Sequence, residues 1–104
     1  MSYEVRFSAL AEDDLIRLFE FLLERATDAN DLVVAQAAIE AIRSAASFQL
    51  ALTPYSFRKS GRGPTRRELI IPFGATGYVA LYEIASASMV LVLAVRHQRE
   101  EDYY

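Results

Sequence analysis

The chain has 104 residues, a formal net charge of −3, a composition that is 53% hydrophobic, and no cysteine. This length suits one domain that buries roughly 65% of its unfolded surface, and the composition excludes a disordered tail. The lack of cysteine excludes a disulfide framework and a thiolate metal site, and one histidine with scattered carboxylates gives no metal-ligand spacing. We therefore expect one globular domain over residues 1–104 that uses neither a metal nor a cofactor.

Two features of the sequence predict a soluble, cytoplasmic protein. The first ten residues, MSYEVRFSAL, lack a basic segment followed by an apolar run, so no signal peptide is predicted. The longest uncharged apolar stretch, residues 84–95, is too short to span a bilayer.

Charge is divided unevenly along the chain. Residues 1–50 hold nine acidic residues against four arginines, whereas residues 51–104 hold seven basic residues against five acidic ones. Five of those seven basic residues lie between Arg58 and Arg67, and ten of the eleven in the whole chain are arginine. Arginine suits bidentate contact with carboxylates or phosphates, although a solvated loop explains the cluster equally well. A pI near 5.1 argues against a nucleic-acid-binding protein.

The N-terminal half predicts a short strand over residues 3–7 and then two helices. Ser8 is placed to cap the first helix, Asp28 or Asn30 to cap the second, and Thr53-Pro54 ends the second. Each helix carries an apolar stripe: Ala11, Leu15, Leu18, Leu22 and Ala26 in the first, and Leu32, Ala35, Ile39, Ile42, Ala46 and Leu52 in the second. The many alanines allow a close approach, so we expect an antiparallel helical hairpin.

After the basic loop, which begins at Arg58, apolar residues recur with the two-residue period of β-strands. Residues 66–73, 78–85 and 89–96 are predicted to form three consecutive strands, joined by short turns. Short connections favour an antiparallel meander. The predicted fold is α+β in the order β-α-α-β-β-β, a small twisted and largely antiparallel sheet with the helical hairpin across one face.

The last two strands are apolar on both faces, which is unexpected for a sheet with helices on one side only. In the last strand, Met89, Leu91, Leu93 and Val95 alternate with Val90, Val92 and Ala94. We expect the second of these rows to face outward. Either an unrecognised segment, a symmetric dimer or a partner protein would then cover it.

The order of elements and three segments together resemble the RelE/ParE toxin superfamily, the toxin halves of type II toxin–antitoxin modules. The segments are Arg67-Glu68-Leu69, Gly77-Tyr78-Val79-Ala80-Leu81-Tyr82 and Val95-Arg96-His97-Gln98-Arg99-Glu100. The resemblance covers essentially the whole chain and implies a bacterial cytosolic toxin that a cognate antitoxin holds harmless. The outward row would then contact the antitoxin or a second toxin subunit.

The resemblance implies one of two activities, and one residue of the middle strand bears on the choice. Ribosome-dependent mRNA endoribonucleases of the RelE-like branch resemble one another in a Tyr-Arg-aliphatic-aliphatic-Tyr segment, whose arginine faces the scissile phosphate. Val79 stands at that position here, and a neutral aliphatic side chain cannot stabilise a phosphorane. A net charge of −3 also opposes entry into the phosphate field of a ribosome. Both observations favour the ParE-like plasmid-stabilisation branch, whose members inhibit DNA gyrase by protein contact.

The candidate functional residues differ between the two interpretations. For gyrase contact we expect the target-binding residues to be Arg58, Arg62, Arg66, Arg96 and Arg99. For the ribonuclease alternative the catalytic candidates are Arg67, Arg96, His97 and Tyr103. Strand alternation places His97 and Arg96 on opposite faces, and a lone histidine at a strand end is more often structural than catalytic. A third alternative is a non-toxic adaptor that kept the fold.

Overall fold

The computed structural model describes residues 2–61 and 63–100. Its elements in chain order are β1 (Glu4–Phe7), α1 (Ala9–Arg25), α2 (Ala29–Leu52), a 3₁₀ turn (Pro54–Ser56), β2 (Arg58–Lys59), β3 (Arg66–Phe73), β4 (Thr76–Ile84) and β5 (Met89–His97). The α+β class and the order of the helices and long strands are confirmed. The two-residue strand β2, inside the basic loop, has no counterpart in the prediction.

The five strands form one sheet in the order β1-β5-β4-β3-β2. β1 runs parallel to β5, with Phe7 opposite Val92, and the other neighbouring strands are antiparallel. A parallel pair needs a crossover connection, and the hairpin of α1 and α2 lies within that connection. The two helices consequently pack on one face of the sheet, around a core that includes Leu15, Ile42 and Tyr82.

Both helices begin where the sequence predicts. The Ser8 hydroxyl accepts the Ala11 N–H at 3.1 Å, and the Asp28 carboxylate accepts the Asp31 N–H at 2.9 Å. The apolar stripe of α2 needs one correction, because Leu32 and Leu52 at its ends are 49% and 55% exposed. The residues of α2 that are buried are Ala35, Ala38, Ile42, Ala46 and Leu50. No helix in the described part of the chain has the length and apolar character needed to cross a membrane.

A bulge in β5 overturns the predicted outward row. Leu81 lies opposite Ala94 but Tyr82 lies opposite Val92, so the strand contains one extra residue at Leu93 and the alternation of faces shifts there. Val90 and Val92 are fully buried in the core that includes the helices. Ala94 lies on the other face beside Leu81 and is only 2% exposed. The expectation that Val90, Val92 and Ala94 form an exposed contact row is therefore wrong, and the homodimer expected on that row loses its basis.

Polar groups of α1 and its cap replace a strand along part of the β5 edge. Pairing with β1 ends at Val92. Beyond that point the Ser8 hydroxyl donates to the Leu93 carbonyl at 3.0 Å, the Val95 N–H donates to the Asp14 carboxylate at 2.8 Å, and Arg17 donates to the Val95 carbonyl at 3.4 Å. These bonds fix the end of β5, and with it the turn that follows.

Candidate functional site

The chain leaves β5 through a tight turn over residues 97–100, called the C-terminal turn below. The Glu100 N–H donates to the His97 carbonyl at 3.0 Å, and the Glu100 carboxylate accepts the His97 N–H at 3.0 Å. The same carboxylate lies 3.2 Å from an Nη of Arg17 in α1. The turn is thus bonded both to itself and to the first helix.

His97 has a partner at each ring nitrogen. Its Nδ1 accepts the Arg99 N–H at 3.1 Å, and its Nε2 lies 3.1 Å from the Thr76 hydroxyl. With Nδ1 as an acceptor, Nε2 is the ring nitrogen that can donate to the Thr76 hydroxyl. The ring also stands edge-on to Tyr78, with centroids 5.5 Å apart. His97 pairs across the sheet with Tyr78 and Arg96 with Val79, which confirms that His97 and Arg96 lie on opposite faces.

Arg96 and Arg99, the two arginines at the C-terminal turn, have different surroundings. One guanidinium nitrogen of Arg96 donates to the carbonyls of His97, Gln98 and Glu100, at 3.3, 3.4 and 2.5 Å. Arg96 therefore holds the C-terminal turn together. Arg99 is exposed, and its guanidinium makes no ion pair with any residue in the described ranges.

Two of the arginines between Arg58 and Arg67 are paired with carboxylates. Arg58 lies 2.9 Å from Glu68, and Arg66 lies 3.2 Å from Glu83. About half of each arginine side chain remains exposed, so both cations are presented to solvent although each has a carboxylate partner. Arg62 and Tyr103, named above as candidates, lie outside the described residues.

Arg67 anchors the basic loop instead of facing outward. Its guanidinium donates to the carbonyls of Pro64 at 3.1 Å, Tyr55 at 3.1 Å and Phe57 at 2.7 Å. It also lies over the Tyr55 ring, 5.3 Å from its centroid. These contacts stabilise the positive charge of Arg67 without an external ligand.

The two tyrosines of the middle strand are poor acid–base groups at neutral pH. Burial raises the pKa of Tyr82 to about 12, against a smaller opposing effect of the Arg67 charge. Burial also raises the pKa of Tyr78. The Tyr82 hydroxyl donates to the Pro54 carbonyl, so it is already engaged.

The structure does not bring Arg67 and His97, two of the candidate catalytic residues, together. Arg67 pairs with Tyr82 and His97 pairs with Tyr78, at positions four residues apart along β4. At about 3.3 Å per residue, this separation is about 13 Å. Arg58 and Arg66 are likewise at one end of the sheet, whereas Arg96 and Arg99 are at the other. Within residues 2–61 and 63–100, no group of three or more His, Asp or Glu side chains could hold a metal ion.

A groove of about 620 Å³ lies between α1, the start of α2 and the end of the sheet that carries the C-terminal turn. We call it the α1–sheet groove. Its lining comprises Arg17, Leu18, Phe21, Leu22, Arg25, Val34, Phe73, Thr76, Tyr78, His97, Arg99 and Glu100. The sequence gives no local signal for this groove, because its residues come from separate parts of the chain.

These features define a small α+β fold of two helices packed on one five-stranded sheet. A family model described as the ParE toxin of the type II toxin-antitoxin system, parDE, matches residues 5–102. The chain belongs to this family of toxins.

Individual relatives carry names from both branches of the superfamily. The chain is 32% identical over 103 residues to a Caulobacter vibrioides protein named Toxin RelE1, an alignment that covers 97% of this chain and 99% of that protein. The fold matches a chain of the chromosomal ParDE system from P. aeruginosa, with a TM-score of 0.70 and 11% identity over 92% of this chain and 96% of that one. It also matches a chain of the Mycobacterium tuberculosis toxin-antitoxin complex RelBE2, with a TM-score of 0.62 and 21% identity over 96% and 95% of the two chains.

Proposed function

We propose that this toxin inhibits DNA gyrase in the bacterial cytoplasm by protein contact, without catalysing a reaction, and that a cognate antitoxin neutralises it. The similar solved structures, of a ParDE system and of a RelBE2 toxin-antitoxin complex, support an antitoxin as partner. The names of the relatives come from both branches and so do not distinguish gyrase from the ribosome, but individual residues of this chain favour gyrase.

The separation of Arg67 from His97, two of the candidate catalytic residues, is the observation that carries the proposal. Ribonuclease chemistry needs a base, an acid and a cation around one phosphate. Here Arg67 and His97 pair with β4 at positions about 13 Å apart. Both make hydrogen bonds within the chain, and Val79 offers no charge between them.

The exposed cations supply the proposed contact residues. Arg99 is exposed at the C-terminal turn, and Arg58 and Arg66 are half exposed at the basic loop. Arginine is enriched among residues that dominate binding energy at protein interfaces. The net charge of −3 supports a protein target over a ribosomal RNA surface, because binding to dense phosphate depends on accumulated positive charge.

The ribonuclease alternative has one observation in its favour, the name RelE1 of the curated relative. A direct comparison separates the two targets. Purified toxin is added to gyrase in a supercoiling assay and to translating ribosomes whose mRNA ends are mapped. We expect inhibition of supercoiling and no new mRNA ends. Cleavage at defined codons with gyrase unaffected would refute the proposal.

A further inference from the structure

One guanidinium group of α1 contacts both the end of β5 and the C-terminal turn. Nη1 of Arg17 lies 3.2 and 3.4 Å from the two carboxylate oxygens of Glu100, and Nη2 donates to the Val95 carbonyl at 3.4 Å. Its Nε lies 3.8 Å from the buried carboxylate of Asp14. Each of the three nitrogens therefore has a partner, and two of these partners lie far away in the sequence.

Glu100 connects this guanidinium to the backbone of the turn. Its Oε1, which accepts from Arg17, also accepts the His97 N–H at 3.0 Å, and the Glu100 N–H donates back to the His97 carbonyl at 3.0 Å. Arg99 lies between these two residues, and its own N–H donates to the His97 ring at 3.1 Å. A displacement of Glu100 would thus move the backbone that carries Arg99.

We propose that Arg17 is a positioning residue for the contact between the C-terminal turn and the target, an inference that rests on the proposed function. Arg17 holds Glu100 and thereby fixes the direction in which Arg99 meets the target. A side chain that is oriented before binding loses less conformational freedom on binding, so the contact is stronger.

The proposed role depends on the shape of the guanidinium as well as on its charge. A planar fork reaches three partners at once, whereas a lysine ammonium is a single point of charge on a flexible chain. Arg17→Lys therefore keeps the net charge and removes the geometry. The side chains of Arg17 and Glu100 are 46% and 35% exposed, and exposed ion pairs contribute little to the free energy of unfolding. We expect the substitution to affect the turn much more than the stability of the fold.

Arg43 provides a matched control. Its side chain is 47% exposed, and it lies 2.6 Å from Glu12, so it joins α2 to α1 and not to the C-terminal turn. Supercoiling by purified gyrase is measured against a titration of each full-length toxin. We expect Arg17→Lys to raise the half-inhibitory concentration roughly fivefold or more, and Arg43→Lys by less than about twofold. Equal rises in the two variants, or no rise in Arg17→Lys, would overturn the proposal.

Thermal unfolding of the same two variants excludes a general loss of stability as the cause. Both midpoints should lie within about 4 °C of that of the original chain. A much lower midpoint in Arg17→Lys alone would show that this residue acts through the stability of the fold, which would also overturn the positioning role.

A double substitution separates positioning from direct contact between Arg17 and gyrase. If Arg17 acts through Glu100, then Arg17→Lys and Glu100→Gln raise the half-inhibitory concentration by similar factors, and the double variant is no worse than either single one. Factors that multiply in the double variant would show that Arg17 contacts the target itself, and the positioning role would be wrong.

Hydrogen exchange of the free toxin tests the same role without gyrase. The N–H groups of His97 and Glu100 are bonded within the turn, so both should exchange roughly threefold faster or more in Arg17→Lys, and at the original rate in Arg43→Lys. Unchanged exchange in Arg17→Lys would refute the positioning role whatever the target. Faster exchange, in a toxin whose original chain leaves supercoiling unaffected, would refute the proposed target and retain Arg17 as the residue that orders the turn.

Discussion

The carboxylate of Asp14 in α1 accepts the backbone N–H of Val95 in β5 at 2.8 Å. Asp14 is only 3% exposed, and it also lies 3.8 Å from the guanidinium of Arg17. Because β1 stops pairing at Val92, this carboxylate takes the place that a strand carbonyl would otherwise occupy. A helix side chain thus completes the hydrogen bonding of the strand that delivers the C-terminal turn.

Asp14→Ala should destabilise the toxin, because it leaves the buried Val95 N–H without its acceptor. The expected loss in the free energy of unfolding is about 1–3 kcal/mol. Asp13→Ala is the control, since Asp13 is the exposed neighbour on the same turn and its loss should change stability by no more than about 0.5 kcal/mol. Urea unfolding followed by circular dichroism measures both, and equal losses would contradict the assigned role.

Stability should decline at alkaline pH because of Tyr82. Its folded pKa of about 12 lies above the ordinary value of 10.0, so the folded state holds the phenol proton more tightly than the unfolded state. The resulting stabilisation is fully present below the unfolded pKa and is lost as pH rises through the folded one. Burial shifts the pKa of Tyr78 in the same direction.

Tyr82→Phe provides the comparison for this pH dependence. The variant loses the hydrogen bond to Pro54 and should be less stable at neutral pH, yet its free energy of unfolding should fall less steeply between about pH 9.5 and pH 11.5. Urea titrations across that range measure the slope. An identical slope in the two proteins would show that Tyr82 does not titrate differently on folding.

The local signals of the sequence were sufficient for most of the fold. Side-chain caps at Ser8 and Asp28, the helical period between them and the strand period after the basic loop predict both helices and the three long strands. Each of these signals depends only on residues close together in the chain, so it can be read from a single sequence.

The faces of β5 could not be predicted, because both rows are apolar and the bulge at Leu93 leaves no mark in composition. Hydrophobic periodicity distinguishes a buried from an exposed face only when the two faces differ in polarity. The functional surfaces were even harder to predict from the sequence. The role of Arg67 depends on three carbonyls that the fold brings near it, and the α1–sheet groove exists only after α1 packs on the sheet.

Gly77→Ala should destabilise the turn as well as the sheet. A Cβ at Gly77 would collide with the carbonyl oxygen of Ile71 on β3, and backbone atoms cannot yield without disturbing the strand pair. The Gly77 carbonyl also accepts the Gln98 N–H at 2.9 Å, so the clash is transmitted to the C-terminal turn. We expect a loss of about 1–3 kcal/mol in the free energy of unfolding.

A turn glycine in the same hairpin provides the control. Gly74 has φ +59° with open space around a built Cβ, and Asn tolerates this conformation better than most residues. Gly74→Asn should therefore change the free energy of unfolding by less than Gly77→Ala does. Thermal unfolding of the two variants measures which of them loses more stability. A larger loss in Gly74→Asn would show that crowding at Ile71 is not the main constraint on glycine replacement in this hairpin.

Two substitutions in the C-terminal turn distinguish a toxin that acts by protein contact from one that acts by catalysis. His97→Gln removes the imidazole as an acid or base but leaves an amide that can still bond to Thr76, so under the contact mechanism toxicity should survive largely intact. Arg99→Glu reverses an exposed charge without removing a bond that the side chain makes in the described structure, and it should abolish toxicity. Arg96 is the wrong residue for this test, because its loss would release three carbonyls of the turn.

A catalytic site predicts the opposite ranking, since loss of a general acid or base typically lowers a rate about 10²–10⁴-fold. Growth after induced expression gives the toxicity of each variant, with immunoblots to match toxin levels and a supercoiling assay to follow gyrase. Arg6→Glu is the control for charge reversal, because Arg6 is also exposed but lies on β1 beside Glu4. Two results together would show that the contact mechanism is wrong. The first is that His97→Gln disarms the toxin, and the second is that a folded Arg99→Glu variant arrests growth as the original chain does.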